Sequence, residues 1–154
     1  MNEEDLKRQI QEIVKQAAEL KNKHTEEKKS PVNYACIFAQ TKKQYDELFE
    51  ASLKIGKIIK ETPTGFLFHI KSLKTVSGAL HLLKIRLPDS TRPEQGDADF
   101  TVSNYHGFKK KYLSRKGFKL IQKEEFEMIE LMDPQFGVRV YFSHPPLDEQ
   151  LGIR

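Results

Sequence analysis

The chain has 154 residues, which suits one domain with a real core. A hydrophobic share of 38% beside 31% charged residues describes a globular protein with a heavily charged surface. The formal charge of +4 comes from interspersed residues and is too small for a dedicated nucleic-acid binder. No apolar run approaches the roughly 20 residues of a membrane helix, and the lone Cys36 rules out an internal disulfide framework. The opening MNEEDLKRQIQEIVKQ lacks the apolar stretch of a secretory signal, so the cytoplasm is the expected compartment.

Taken in order, Leu6, Ile10, Ile13, Ala17 and Leu20 recur at helical spacing and predict a helix over 3–28. This arm is expected to pack on the domain or on a second copy as a homodimer element. HTEEKKSPVN, residues 24–33, breaks it and reads as a linker. YACIFAQ (34–40) reads as a strand. A helix follows over 41–56, with Thr41 as cap, Tyr45, Leu48, Phe49 and Leu53 as apolar face, and Gly56 as stop. KIIKE, GFLFHIK (65–71) and ALHLLKIRL (79–87) read as strands, with SLKTVSG between the last two as a loop.

PDSTRPEQG, residues 88–96, reads as a connecting loop, and then the order repeats. DADFTV (97–102) is a predicted strand, and SNYHGFKKKYLSRKG (103–117) a helix. FKLIQ, EFEMIELMD (125–133) and GVRVYFS (137–143) are predicted strands, followed by the tail HPPLDEQLGIR. The chain therefore holds two βαβββ units, an α+β plan in which each sheet carries a helix on its outer face. The expected organisation is an arm and linker over 1–30 and a domain over 31–154. Its modules span 33–88 and 97–143, and its tail spans 144–154.

This order resembles the vicinal oxygen chelate superfamily, which includes glyoxalases, extradiol dioxygenases and bleomycin resistance proteins. The resemblance covers about residues 33–143 and rests on module order, on FEMIELMDPQFGVRVYFS (126–143) and on DFTVSNYHGF. It implies a glyoxalase-like cup. A ferredoxin-like α+β sandwich is the alternative, since it needs one strand fewer per half. In that superfamily, metal ligands come from the first and last strands of each module and point into the cup.

Strand alternation then assigns faces, with the apolar side taken as helix-covered. It turns Lys84, Arg86, Asp97, Asp99, Arg139 and Tyr141 into the cup, together with Ala35 and Ile37. It turns Tyr34, Cys36, Phe38 and His81 toward the helices. Two of the four strands present cations, so no metal site and no cofactor are expected. Those six polar residues leave two readings: an internal ion-pair network, or a pocket in which Arg forks onto a small anionic ligand.

The expected function is a non-metal, glyoxalase-like domain that binds a small molecule or a partner. One alternative is a metal-dependent lyase, isomerase or dioxygenase using His69 and His81 with Glu127 or Glu130. Another is a nucleic-acid-associated protein using the basic stretch 108–119 beside Tyr105, Phe108 and Tyr112. Cys36 on an apolar face reads as a small buried hydrophobe rather than a nucleophile. Glu125, Glu127 and Glu130 read as a charged strand surface, with Lys60, Lys71 and Lys74 as partners.

Overall fold

The computed structural model describes residues 1–153. After α1 (Glu3–His24) the chain runs β1 (Val32–Phe38), α2 (Lys42–Ile55), β2 (Gly56–Thr62), β3 (Gly65–Thr75) and β4 (Gly78–Arg86). The second unit is β5 (Gly96–Phe100), α3 (Tyr105–Tyr112), β6 (Phe118–Gln122), β7 (Glu127–Leu131) and β8 (Val138–His144), with a short α4 (Leu147–Gln150) in the tail. No helix among the described residues is long and apolar enough to cross a membrane.

The strands form one eight-stranded sheet in the order β2-β3-β4-β1-β5-β8-β7-β6. In each half the first strand lies parallel to the last, β1 to β4 and β5 to β8, and the halves join through the antiparallel β1–β5 pair. This is the expected α+β arrangement of two βαβββ modules. Four strands per half exclude the ferredoxin-like alternative. Gly96 opens β5 where a Cβ would meet the Cys36 carbonyl oxygen at 2.1 Å, so the halves can close at that point only around a glycine.

All the long helices cover one face. Their apolar sides meet Ala35, Ile37, Phe68, Ala98, Val140 and Phe142 in one core. The helix expected as an arm is part of that core, with Leu6, Ile10, Val14, Ala17 and Leu20 fully buried. Its apolar stripe is therefore used within the chain rather than left for a second copy. Asn2 caps it, accepting from the Asp5 amide at 2.8 Å. At its far end Lys23 and His24 each reach Asp133 of the Asp-Pro turn at 2.8 Å. Lys21 is buried where the sequence pattern shows only a flanking cation. Its ammonium donates to the Glu27 carbonyl and sits 4.9 Å from the centre of the Phe100 ring.

The residues expected as a loop at 72–78 instead extend β3 to Thr75, which turns at once into β4. Gly78, at φ +100°, supplies the left-handed residue this tight hairpin needs. The helix expected over 103–117 ends at Tyr112. Tyr105, Phe108 and Tyr112 are already buried there, and the chain must turn at Gly117 to enter β6.

Candidate functional site

The face opposite the helices is polar and enclosed. Lys60 and Thr62 of β2 line the same cleft as Met128 of β7, although those strands stand near opposite ends of the sheet. The sheet therefore curls into a cup. Two adjoining clefts of about 270 and 390 Å³ share Tyr34, Lys84, Asp99 and Met128. Leu147, Gln150 and Leu151 of the tail line the smaller one.

The faces assigned to β5, to β8 and to Lys84 and Arg86 of β4 agree with the structure. Lys84, Arg86, Asp97, Asp99 and Tyr141 all line the larger cleft. Arg139 pairs in register with Asp97 on the same side of the sheet. The face assigned to β1 is reversed. Ala35 and Ile37 lie in the helix-side core, while Cys36 pairs with Lys84 on one side and Asp97 on the other, which places it on the cup face. The reversal begins at Phe38: although it stands where Phe100 stands in the second unit, it lies beneath the Arg92 guanidinium at 5.3 Å, so Tyr34 and Cys36 share the cup face with it. Upstream, a bulge at Asn33 lets Val32 and Ala35 both face the helices.

His81 is corrected for the same kind of reason. The β3–β4 register breaks between His69 and Leu73, so Leu80 and Leu83 both reach the core. His81 then stacks on His69 with ring centres 6.2 Å apart. The carboxylates named as their partners are elsewhere. Glu127 takes the Tyr105 hydroxyl at 2.7 Å and Lys109 at 2.9 Å on the helix side, and Glu130 lies in the cup beside Tyr141. No group of three His, Cys, Asp or Glu residues arranged to hold a metal occurs among the described residues. The strand-surface partners Lys60, Lys71 and Lys74 are likewise not the ones Glu127 and Glu130 use.

The cup divides into a closed half and an open half. In the closed half Arg139 meets Glu94 at 3.0 Å and Glu130 at 3.5 Å, and also donates to the Thr91 carbonyl at 2.9 Å. Tyr141 donates to Glu130 at 2.7 Å and receives Arg92 at 3.3 Å. Here the ion-pair reading describes the geometry. Sequence reasoning missed Thr91, Arg92 and Glu94, because 88–96 reads as a plain connection. The available signal was an Arg and a Glu two residues apart in a segment joining two cup strands.

In the open half the polar groups are not all used. Lys84 donates to the Thr64 hydroxyl, and Arg86 reaches Asp89 only at 3.6 Å. Among the described residues, buried Arg86 Nε, Asp97 Oδ1 and Asn33 Oδ1 have no hydrogen-bond partner. Asp99 is better held, accepting from the Ser143 amide at 3.0 Å, from the Ser143 hydroxyl, and from Asn33 at 3.2 Å.

Burial dominates the electrostatics. It pushes the Asp97 carboxyl up to about 7, helped by the neighbouring Asp99 charge. It pushes Asp99 up to about 6 against the opposing hydrogen bonds from Ser143 and Asn33. Burial holds the Lys84 ammonium below its ordinary range, and raises the Cys36 thiol far above its own, aided by Asp97. Cys36 is thus a buried, protonated thiol, and the Asp97 carboxyl opposite it opposes thiolate formation.

The basic stretch 108–119 is partly engaged. Lys109 pairs with Glu127 and Lys111 with Glu26, and both Lys111 and Arg115 lie over the Tyr112 ring. Tyr105, Phe108 and Tyr112 are buried, so none offers a face on which a base could stack.

A solved structure described as "Structural Genomics, Protein EC4020" shares this fold at a TM-score of 0.74 and 9% identity. The match covers 97% of this chain and 91% of that one, so the likeness takes in α1 as well as the sheet. A glyoxalase/bleomycin resistance protein/dioxygenase superfamily member from Vibrio splendidus 12B01 aligns over 71% of this chain and 95% of its own, at 10% identity and a TM-score of 0.44. The hypothetical protein BH1468 from Bacillus halodurans C-125 aligns over 74% and 93%, at 14% identity and a TM-score of 0.41. No protein-family profile and no curated protein matches the sequence.

Proposed function

We propose that the protein is a glyoxalase-like binding domain for a small anion, held in the open half of the cup. Lys84 and Arg86 contact the anion, with Arg92 alongside. Asp97 in its neutral form donates a hydrogen bond, and Asp99, Arg139 and Tyr141 hold the walls in shape. The observation that carries this reading is the pair of unpartnered buried atoms, Arg86 Nε and Asp97 Oδ1, beside the 390 Å³ cleft. Buried polar groups are costly when unpaired. A ligand with acceptor oxygens satisfies the guanidinium, and a protonated carboxyl supplies the matching donor.

Charge balance supports the same reading. The cleft is lined by Lys84, Arg86, Arg92 and Lys123 against Asp97 and Asp99, and burial leaves Asp97 about half neutral near pH 7. The cations thus outnumber the ionised carboxylates.

Titration calorimetry with acetate, succinate and inorganic phosphate tests this, using Lys84→Met and Arg86→Met as controls. The expected result is saturable binding weakened at least tenfold by either substitution. Arg139→Met is expected to change stability more than affinity. Binding that survives the double substitution Lys84→Met/Arg86→Met would place the site outside the cup.

A further inference from the structure

We infer that the ligand is an amphipathic anion: a carboxylate, or a similar small acid group, carrying a hydrocarbon tail. This rests on the anion-binding reading above and adds the chemistry of the rest of the molecule.

The argument begins with the contrast between the adjoining clefts. The larger is lined mainly by charged groups. The smaller, about 270 Å³, is walled by Leu67, Phe126, Met128, Leu147 and Leu151. Its polar members are Lys60 and Thr62, Ser143, Gln150 of the tail, and the residues Tyr34, Lys84 and Asp99 that it shares with the larger cleft. Lys84 belongs to both, with its ammonium donating to Thr64 of the larger cleft, and an anion placed beside it has apolar walls on one side and Arg86 on the other. Burial that already lowers the Lys84 pKa is compensated when an anion sits beside it.

The apolar walls come from three parts of the fold that nothing else brings together. Leu67 is on β3, Phe126 and Met128 are at β7, and Leu147 and Leu151 flank the tail helix α4. Phe126, Met128, Leu147 and Leu151 are all only half-buried, outside the helix-side core. They form a second, smaller apolar surface that remains partly open beside the half-buried Lys84. A purely polar ligand such as phosphate would leave this surface unused. A neutral hydrocarbon would leave Arg86 Nε unpaired. An amphipathic anion meets both. Volumes of about 270 and 390 Å³ sit at the low end of the roughly 300–1,000 Å³ typical of small-ligand sites, which favours a short tail.

The test is titration calorimetry of the full chain with acetate, butanoate, hexanoate and octanoate, with octylamine and inorganic phosphate as comparisons. Each buried methylene is expected to tighten binding by roughly three- to fourfold until the cleft is full. Leu147→Ser and Leu151→Ser, which line only the smaller cleft, are expected to flatten that dependence while leaving acetate binding unchanged. Leu151 lies in the tail, so its substitution does not depend on the main core. Equal affinity for acetate and octanoate would overturn the apolar arm and leave the anion site standing. Octylamine binding as well as octanoate would also overturn the proposal, because the cleft would then be reading hydrocarbon alone. If neither the carboxylates nor phosphate bind, both the tail and the anion reading fail.

Discussion

Cys36 and Asp97 stand opposite each other across the β1–β5 pair, on the cup face. Cys36 is 2% exposed and Asp97 6%, and burial together with the Asp97 charge raises the cost of ionising the thiol. This pairing puts the only cysteine of the chain at the floor of the candidate site without making it reactive.

Cys36 is therefore expected to resist modification. In the native protein at pH 8 an aromatic disulfide reagent should label it far more slowly than in denaturant. Fast native labelling would show that the floor of the cup opens.

Asp97 makes stability depend on pH. Its folded pKa of about 7 lies above the unfolded value of about 3.9, so between those limits the native state holds more protons. Stability from this group falls as pH rises through that window. Asp97→Asn removes the ionisation and should stabilise the protein by about 4 kcal/mol at pH 8, with little effect near pH 4. Thermal melts at the two pH values check both the sign and the window.

Anion binding should weaken in the same direction. As pH rises through about 7, Asp97 gains charge beside the proposed ligand, and the lowered Lys84 pKa works the same way. Hexanoate affinity measured from pH 6 to pH 8.5 should fall, and Asp97→Asn should flatten the profile.

Arg139 is expected to matter chiefly for stability. It is 11% exposed and held between Glu94 and Glu130, themselves 14% and 11% exposed. Arg139→Met strands buried carboxylates and should cost about 3 kcal/mol. Adding Glu130→Gln should recover part of that loss in denaturant melts.

The N-terminal helix is expected to behave as core. Ile10 is fully buried, so Ile10→Ala should cost about 2–4 kcal/mol. Removing residues 1–30 should abolish cooperative unfolding, since it bares Ala35, Ile37, Ala98 and Val140. A truncated chain that still melts cooperatively would restore the helix to the role of an arm.

The sequence by itself determined the order of the main helices and strands and the face of β5, of β8 and of the far end of β4. These follow from local physics: apolar spacing, caps, glycine stops and strict alternation along short strands without interruption. Lys84, Arg86, Asp97, Asp99, Arg139 and Tyr141 could be assigned to one face because β5 and β8 alternate cleanly, as β4 does beyond Leu82.

Only the tertiary structure decided the rest. The bulge at Asn33 and the irregular stretch between His69 and Leu73 shift parity by one residue, and no local pattern marks them. Thr91, Arg92 and Glu94, which join Glu130 of β7 around Arg139 and Tyr141, come from a loop whose charges look like solvent-facing residues until the two halves close around it. The apolar arm of the cup joins β3, β7 and the tail, which are far apart in the chain. Long-range pairing sets such a surface, and the sequence holds its residues without their adjacency.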